Sequence, residues 1–284
     1  MPELPEVETV KRGLDSKIKG KIISGVLIVD KKILNVLESE FLNAVKESRI
    51  ENIERRAKNL IITLSSDFYL LLHLKMTGQL LFDTEIISKK KQDYLKKPEY
   101  KYARLIFFFK GGSALIFNDL RRFGYAKLIP QNKLDAEIGE KKLGPEPLDR
   151  DFTIDKFKGI LKKYPKRKIK QVLMDQTVIS GIGNIYSDEI CFYARVSPLR
   201  PVRLLSDKEI QRIYEGIRKI LFEAIELGGT SVGNYLNVCG QKGEYGKHLA
   251  VYGREGENCP DCGENVKRIK IGGRSSYFCP KCQK

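Results

Sequence analysis

Two short cysteine pairs, Cys259-Pro-Asp-Cys262 and Cys279-Pro-Lys-Cys282, decide the fold at the end of the chain. Sixteen residues separate the pairs, and this spacing is typical of a zinc site with four thiolate ligands. The residues between them form two β-type runs around Gly272-Gly273-Arg274, which predicts a hairpin. Two disulfide bonds are the alternative, but a reducing compartment disfavours them. We therefore expect a zinc ribbon that binds one structural Zn²⁺ through Cys259, Cys262, Cys279 and Cys282.

Short apolar runs characterise the chain from about residue 26 to 129. Two separators, Ser65-Ser66-Asp67 and Lys110-Gly111-Gly112, predict hairpins between neighbouring runs. This block is expected to form a β-sandwich or barrel that is preceded by an N-terminal helix. A lysine-rich insertion at 88–100 is expected to be irregular and exposed. The predicted strands are 24–29, 60–64, 68–74, 104–109 and 114–117.

A second block, after the two prolines of Gly144-Pro-Glu-Pro-Leu148, is mainly helical in pattern. Helical spacing runs from Asp155 to Tyr164, and the capping box from Ser206 to Glu209 opens a long amphipathic helix that stops at Gly228-Gly229. A loop rich in Gly, Asn and Tyr follows at 229–246. The pattern as a whole indicates an α+β protein with a β-rich domain at 1–143, a hinge linker at 144–150, a helical domain at 151–246 and a zinc ribbon at 247–284.

The charge balance points to a polyanionic partner. The 284 residues carry 52 Lys and Arg against 36 Asp and Glu, a formal charge of +16, and basic proteins bind nucleic acid by releasing its condensed counterions. A generally lysine-rich surface is the alternative. No apolar run approaches the roughly 20 residues that span a bilayer, and the acidic, proline-containing start does not resemble a secretory signal. We expect a cytoplasmic protein without membrane segments.

Basic residues also cluster where a helix start could bind phosphate. The segment 156–170 holds eight Lys or Arg and no acid, and it precedes the turn Gly181-Ile-Gly-Asn184, which opens a helix. Backbone N–H groups and the positive end of a helix dipole favour a phosphate at such a position. A solvated helix face is the alternative reading of the same run.

The N-terminus can be read as a structural helix start or as a reagent. Pro2, Glu3 and Glu6 all suit the first turn of a helix, with Leu4 and Val7 beginning its buried stripe. Loss of Met1 would instead expose a secondary amine with a reference pKa of about 8. Such an amine can attack an aldehyde-type carbon, and the resulting iminium keeps its positive charge because its nitrogen has no proton to lose.

Eight motifs in the same order resemble the bacterial formamidopyrimidine-DNA glycosylase family over the whole length of the chain. The first is the opening Met-Pro-Glu-Leu-Pro-Glu-Val-Glu-Thr, and the last is the zinc ribbon. The six between them are Arg55-Arg-Ala-Lys58, His73-Leu-Lys-Met-Thr-Gly78, Asp119-Leu-Arg-Arg-Phe-Gly124, Leu143-Gly-Pro-Glu-Pro-Leu148, Gly181-Ile-Gly-Asn-Ile-Tyr186 and Val251-Tyr-Gly-Arg254.

This resemblance implies a β-sandwich domain with an N-terminal helix, then a helix-two-turns-helix domain and a zinc ribbon, with double-stranded DNA bound between the domains. The family removes oxidised purines such as 8-oxoguanine and formamidopyrimidines, and then cuts the abasic strand by β- and δ-elimination. The damaged nucleotide must leave the stack for this chemistry. We expect a monomer that binds DNA with oxidised bases or abasic sites and is associated with the bacterial nucleoid.

The resemblance also assigns catalytic roles. The amine of Pro2 would form the Schiff base at C1′, Glu3 would transfer protons, and Glu6 would hold the helix start. Lys58 would assist β-elimination and bind phosphate. Arg274, at the turn of the ribbon hairpin, would contact the phosphates of the lesion and assist δ-elimination.

Three further residues would fill the gap left by an extruded base, and we call Met76, Arg121 and Phe123 the void-filling triad. Arg121 would face the orphaned cytosine, while Phe123 would wedge a base step. From pattern alone, Met76 and Phe123 read as core residues, so their exposure is a direct test. Expected phosphate contacts are His73, Lys170, Asn184 and Tyr252, and the loop 229–246 would recognise the lesion.

Two other readings stay open. A zinc-ribbon DNA-binding factor would use the N-terminal helix only structurally. The endonuclease VIII class would share the fold and nucleophile but prefer oxidised pyrimidines, whereas Leu4-Pro5 and Arg121-Arg-Phe123 favour the purine enzyme. The chain departs from the family at Lys101-Tyr-Ala-Arg104, so no DNA contact is assigned to Tyr102. Cys191 and Cys239 are isolated, and core packing or an incidental thiol is expected of them.

Overall fold

The computed structural model describes residues 1–84, 95–139 and 142–284, and these form two compact units. The first unit comprises Met1–Ile138 together with Gly228–Glu244, and the second comprises Gly139–Leu227 together with Tyr245–Lys284. Across the described ranges, no helix is long and apolar enough to cross a membrane.

Among its described residues, the first unit contains three α-helices and eight strands. The helices are α1 (Leu4–Ile18), α2 (Glu38–Val45) and α3 (Leu134–Ile138). The strands are β1 (Ile23–Ile28), β2 (Ile50–Arg56), β3 (Asn59–Leu64), β4 (Phe68–His73), β5 (Gly78–Asp83), β6 (Ala103–Phe109), β7 (Ala114–Asp119) and β8 (Tyr125–Pro130).

The strands form two antiparallel sheets of four, in the orders β1-β6-β7-β5 and β2-β3-β4-β8. One apolar cluster takes side chains from both sheets and from α1, for example Leu14, Leu72 and Phe117. Two sheets that share one core make a sandwich, so the sandwich and not the barrel is confirmed. The predicted hairpins β3-β4 and β6-β7 are also confirmed by their register.

Helix α1 forms because its apolar residues recur every three or four positions. Leu4, Val7, Val10 and Leu14 are all buried on one face, which confirms the predicted stripe, and the buried Ile18 extends it. The sequence did not predict α2, β2, β5 or β8. Part of the insertion predicted as irregular, 88–94, lies outside the described residues. Of the described part, Leu95, Lys96, Pro98 and Glu99 are exposed as predicted. The prediction of an irregular segment is wrong at Pro98–Tyr100, which is a 3-10 helix, and Tyr100 is buried.

The segment Gly228–Glu244 belongs to the first unit and packs with the sandwich. Tyr235 and Val238 belong to the sandwich core, and the Phe82 backbone N–H donates to the Val238 carbonyl at 2.8 Å. A side chain on Gly13 of α1 would meet Val238 at 2.4 Å, which explains glycine at that position. Residues 229–244 of the lesion-loop candidate are therefore part of the first unit, and the last two, Tyr245 and Gly246, belong to the second.

The second unit contains the helices α4 (Ile154–Lys162), α5 (Ile169–Met174), α6 (Asn184–Tyr193) and α7 (Asp207–Glu226), and the hairpin β9 (Lys267–Ile271) and β10 (Arg274–Phe278). The capping box of Ser206 and Glu209 opens α7 as predicted. Residues 144–146 pack within this unit, because Gly144 donates to the Gln176 carbonyl at 2.8 Å and Ser180 donates to the Pro145 carbonyl at 3.0 Å. Cys191 is fully buried in α6, and Cys239 is exposed.

Candidate active site

The start of α1 is a buried, capped helix terminus. Pro2 and Glu3 are buried, whereas Met1 is 48% exposed. The Glu3 backbone N–H donates to the Glu6 carboxylate at 2.7 Å, and the two glutamates form a capping box. This box satisfies N–H groups that a helix start leaves without partners inside the helix. The residues proposed to react are therefore fixed by the fold.

Glu6 also joins this helix start to the segment after α7. Its second carboxylate oxygen accepts from the Thr230 N–H at 2.7 Å. The Tyr235 hydroxyl donates to the Glu6 backbone carbonyl at 3.4 Å. Gly229 approaches so closely that a Cβ would lie 2.9 Å from Glu6 Oε1, and its φ of 84° lies in the left-handed region that favours glycine. One carboxylate thus connects the candidate nucleophile with the candidate lesion loop.

Lys58 lies in the turn between β2 and β3, where its side chain is 5% exposed. The preceding residue, Ala57, has a left-handed φ of 54°. Arg55 ties this turn to α1, because its Nε donates to Glu8 at 2.8 Å and its terminal nitrogen donates to the Ala57 carbonyl at 3.0 Å. These hydrogen bonds connect the turn that carries Lys58 to α1.

His73, at the end of β4, is a neutral hydrogen-bond donor. Its Nδ1 accepts the Lys75 N–H at 2.9 Å. Burial, with smaller contributions from the charges of Lys75 and Lys58, lowers the pKa of His73 to about 3. An imidazole that is neutral and accepts at Nδ1 carries its proton on Nε2. His73 can therefore donate to a phosphate oxygen without being charged.

The void-filling triad is brought together on the surface of the first unit. Met76 is 41% exposed and Phe123 is 53% exposed. An Arg121 guanidinium nitrogen lies 3.1 Å from Met76 Sδ, and the guanidinium carbon lies 4.8 Å from the centre of the Phe123 ring. The reading of Met76 and Phe123 as core residues is wrong. The three side chains form one exposed apolar and cationic group.

Asp119 shapes the loop that carries two members of this triad. It is 1% exposed, and its carboxylate accepts from Thr77 Oγ1, from the Arg121 N–H at 3.2 Å and from the Gly124 N–H at 2.7 Å. A side chain on Gly124 would meet Phe117 at 2.8 Å, so only glycine fits there. Sequence reasoning assigned Asp119 no role. The signal available in the sequence was the position of this acid, two residues before the basic and aromatic Arg121-Arg-Phe123.

The remaining candidates lie in the second unit. Asn184 opens α6, and its buried Oδ1 has no hydrogen-bond partner within the described ranges 1–84, 95–139 and 142–284. The ring of Tyr252 packs edge-on against Tyr277 at 5.2 Å, and its N–H donates to the buried Glu189 at 2.8 Å. Arg274 is exposed at the first position of β10, beside a cavity of about 270 Å³ that Arg167 also lines.

The environment of Lys170 differs from the expected phosphate contact. Its side chain is fully buried, and its ammonium donates to Asp188 at 2.8 Å and to the Ser275 carbonyl at 3.2 Å. A buried ammonium with these two partners has no accessible surface for a phosphate. The expected phosphate contact at Lys170 is therefore wrong, and the residue links α5, α6 and β10.

The four ribbon cysteines form a compact sulfur cluster. Their Sγ atoms all lie within 4.8 Å of one another, and the Cys262–Cys279 and Cys259–Cys282 pairs are 3.5 and 3.9 Å apart. A disulfide bond would need about 2.0 Å. Four sulfurs placed about 2.3 Å from one tetrahedral zinc ion lie about 3.8 Å from each other. The cluster fits zinc and not two disulfides.

Three family models match successive parts of the chain. They are the formamidopyrimidine-DNA glycosylase N-terminal domain at residues 1–126, the formamidopyrimidine-DNA glycosylase H2TH domain at 143–235, and the zinc finger found in FPG and IleRS at 256–284. The chain belongs to the formamidopyrimidine-DNA glycosylase family. The predicted order of N-terminal helix, sandwich, helix-two-turns-helix domain and zinc ribbon is thereby confirmed, and one structural zinc fits both the family match and the sulfur geometry.

Relatives in this family match over nearly their whole length. The chain is 43% identical to formamidopyrimidine-DNA glycosylase of Pelotomaculum thermopropionicum, covering 100% of this chain and 99% of the relative. It is 38% identical to that of Streptococcus pneumoniae, covering 93% and 92%.

Solved structures of the family have the same fold as this chain. MutM in complex with DNA containing carbocyclic 8-oxo-G is 35% identical, with a TM-score of 0.87 and full coverage of both chains. Lactococcus lactis Fpg bound to DNA with an abasic site is 34% identical, with a TM-score of 0.87 and 99% coverage of each chain.

Proposed function

We propose that this chain excises oxidised purines, including 8-oxoguanine and formamidopyrimidines, from double-stranded DNA and then cleaves the abasic strand by β- and δ-elimination. The observation that carries the proposal is the helix start: Pro2 and Glu3 are buried there, and the Glu3 N–H donates to the Glu6 carboxylate at 2.7 Å. A proline that merely begins a helix needs no such junction with the segment around Thr230. The relatives and their DNA complexes support the same activity.

In the first step, removal of Met1 exposes the secondary amine of Pro2. The amine attacks C1′ of the extruded nucleotide, the glycosidic bond breaks, and its electron pair leaves with the base, which takes up a proton. Glu3 then protonates the sugar ring oxygen, so that the ring opens to an iminium between Pro2 and C1′. Because this nitrogen bears no proton, the iminium stays cationic at every pH and continues to withdraw electrons.

Strand cleavage follows from this electron withdrawal. The iminium acidifies the C2′ hydrogen, and removal of that proton expels the 3′ phosphate in β-elimination. Loss of a second proton expels the 5′ phosphate in δ-elimination, and water then releases the sugar from Pro2. We assign Lys58 to proton transfer and phosphate binding during β-elimination, and Arg274 to the lesion phosphates and δ-elimination.

Base removal requires extrusion, and the void-filling triad supplies the groups that replace the lost base. Its exposed side chains include two apolar ones that can occupy volume and stack, and a guanidinium that can donate to a cytosine acceptor. His73, Asn184 and Tyr252 are assigned to the DNA backbone. The segment at 229–246 is assigned to the lesion.

The zinc ion, when bound, contributes folding free energy to the ribbon. The catalytic steps are assigned to side chains and to the N-terminal amine, not to the zinc ion. The hairpin β9-β10 positions Arg274, which is the first residue of β10. We further propose that the protein acts as a monomer in the cytoplasm, associated with the nucleoid. Its formal charge of +16 supports binding to DNA of any sequence before lesion recognition.

The test is a lesion panel resolved on a denaturing gel. Duplexes carrying 8-oxoguanine, formamidopyrimidine, an oxidised pyrimidine or an abasic site are incubated with the full chain. We expect cleavage at both purine lesions and at the abasic site, with both phosphates left on the flanking ends. Preference for the oxidised pyrimidine would assign the endonuclease VIII specificity. Binding without cleavage would assign a DNA-binding factor.

A further inference from the structure

Arg122 has a left-handed backbone conformation in the middle of the loop. It lies between Arg121 and Phe123 of the void-filling triad, and its φ is 60°. This left-handed region is disfavoured for an L-residue with a side chain, because Cβ crowds the backbone. Asp119 binds the N–H groups of Arg121 and Gly124, so it fixes the ends of the loop and not the backbone of Arg122.

The side chain of Arg122 forms an ion pair with Asp30, which lies after β1 and outside the loop. Arg122 Nε donates to Asp30 Oδ2 at 2.6 Å, and the Asp30 side chain is only 9% exposed. The hydrogen bond from Arg122 is the main cause of a lowered pKa of Asp30, so the carboxylate is charged at neutral pH. Charge-assisted hydrogen bonds of this kind are the stronger class.

Asp30 is itself fixed by the sandwich. Its backbone N–H and that of Val29 donate to the Arg104 carbonyl at 3.1 and 3.0 Å, and its Oδ1 accepts from the Lys32 N–H at 3.2 Å. Arg104 Nε in turn donates to the Asp119 carbonyl at 2.9 Å. Asp30 is therefore connected, through Arg104, to Asp119 at the end of β7, where the loop that carries Arg122 begins.

We propose that Asp30 is a positioning residue for base extrusion, which acts through Arg122 to hold Arg121 and Phe123 in the geometry that enters the duplex. The two triad residues flank Arg122 in the chain, so the conformation of the Arg122 backbone sets the directions in which both side chains leave the loop. This inference rests on the proposed function and adds a residue outside every motif that carries the family resemblance.

The first test compares two reactions of the Asp30→Asn variant under single-turnover conditions. Excision of 8-oxoguanine opposite cytosine should slow about tenfold, or about 1.4 kcal/mol. Cleavage at a preformed abasic site, where less must be unstacked, should stay within about a factor of two of wild type. Arg122→Gln removes the same ion pair from a half-exposed residue and should reproduce both results, even if Asp30→Asn folds poorly.

The matched control is Glu47→Gln. Glu47 also has a left-handed φ, 64°, and forms an ion pair with Lys110 at 2.7 Å in the same unit. This pair is more than half exposed and lies outside the loop. Both reaction rates should be unchanged in the control.

A glycine variant tests the route of the effect. Glycine adopts a left-handed φ without the Cβ penalty, and it has no side chain that could bind Asp30. The double variant Asp30→Asn, Arg122→Gly should therefore excise 8-oxoguanine no more slowly than Arg122→Gly alone. Equal slowing of both reactions, or full slowing in the glycine background, would show that Asp30 only stabilises the fold. An unchanged Asp30→Asn variant would also overturn the inference. A wild-type chain that cleaves no lesion would instead overturn the proposed function.

Discussion

Replacing Lys170 with methionine tests whether that lysine is a structural residue or a DNA contact. The substitution keeps most of the side-chain volume and removes the ammonium. Asp188 would keep its bonds from Ser276 Oγ at 2.7 Å and from the Tyr277 N–H at 3.0 Å, but it would lose its only cation partner among the described residues.

The burial of the Lys170–Asp188 pair determines how much unfolding free energy the Lys170→Met variant should lose. Both side chains of the pair are 0% exposed, so the remaining carboxylate cannot be stabilised by water. Breaking a buried ion pair by removing one partner costs about 3–5 kcal/mol of unfolding free energy. Because Asp188 holds two successive residues of β10, we expect the loss to appear as faster amide exchange in that strand.

The assay is urea unfolding combined with hydrogen exchange of peptides from β10, with Lys166→Met as the control. Lys166 belongs to the same basic run but is exposed, so its loss should change stability by less than about 0.5 kcal/mol. A Lys170→Met variant as stable as the control, with a reduced salt dependence of DNA binding, would show that Lys170 contacts phosphate after all.

Three other predictions concern zinc, His73 and the void-filling triad. Zinc removal by a chelator should expose the amides of the β9-β10 hairpin and abolish strand cleavage while the sandwich amides stay protected; cleavage that survives full metal loss contradicts this. Since the pKa of His73 falls from 6.5 to about 3 on folding, the unfolded chain alone binds the proton between these values, and the free energy of unfolding drops as the pH falls. This proton contributes a change in unfolding free energy of at most about 1.4 kcal/mol per pH unit. A His73→Gln variant whose urea stability depends on pH between 7 and 4 in the same way as that of the wild type would refute this prediction. Phe123→Ala should slow 8-oxoguanine excision about tenfold and spare abasic cleavage, whereas Arg121→Ala should weaken discrimination of the opposite base; equal loss in every reaction would assign these residues to the fold.

Local patterns in the sequence predicted the elements whose causes are local. The stripe from Leu4 to Leu14 follows from helical spacing, and the start of α7 follows from the Ser206 and Glu209 capping box. Strand β2 was missed because its sequence is mostly charged, and only Ile50 and Ile53 are fully buried. Such a strand is defined by its neighbours in the sheet more than by its own composition.

The remaining errors share a non-local cause. Lysine in a basic run predicts an exposed side chain, and only the approach of Asp188 from another helix makes burial of Lys170 possible. The docking of Gly228–Glu244 on the sandwich depends on contacts of Thr230 with Glu6, 224 residues away in sequence. The Asp30–Arg122 pair joins residues 92 positions apart. Spacing along the chain carries no signal for such pairs.

Borohydride trapping on abasic DNA tests the central claim, catalysis by the amine of Pro2, most directly. Reduction converts an iminium into a stable amine, so the full chain should form a covalent adduct, and peptide mass spectrometry should locate it on an N-terminal Pro2 in protein that has lost Met1. An adduct on a lysine, or full cleavage activity in protein that retains Met1 quantitatively, would contradict the account.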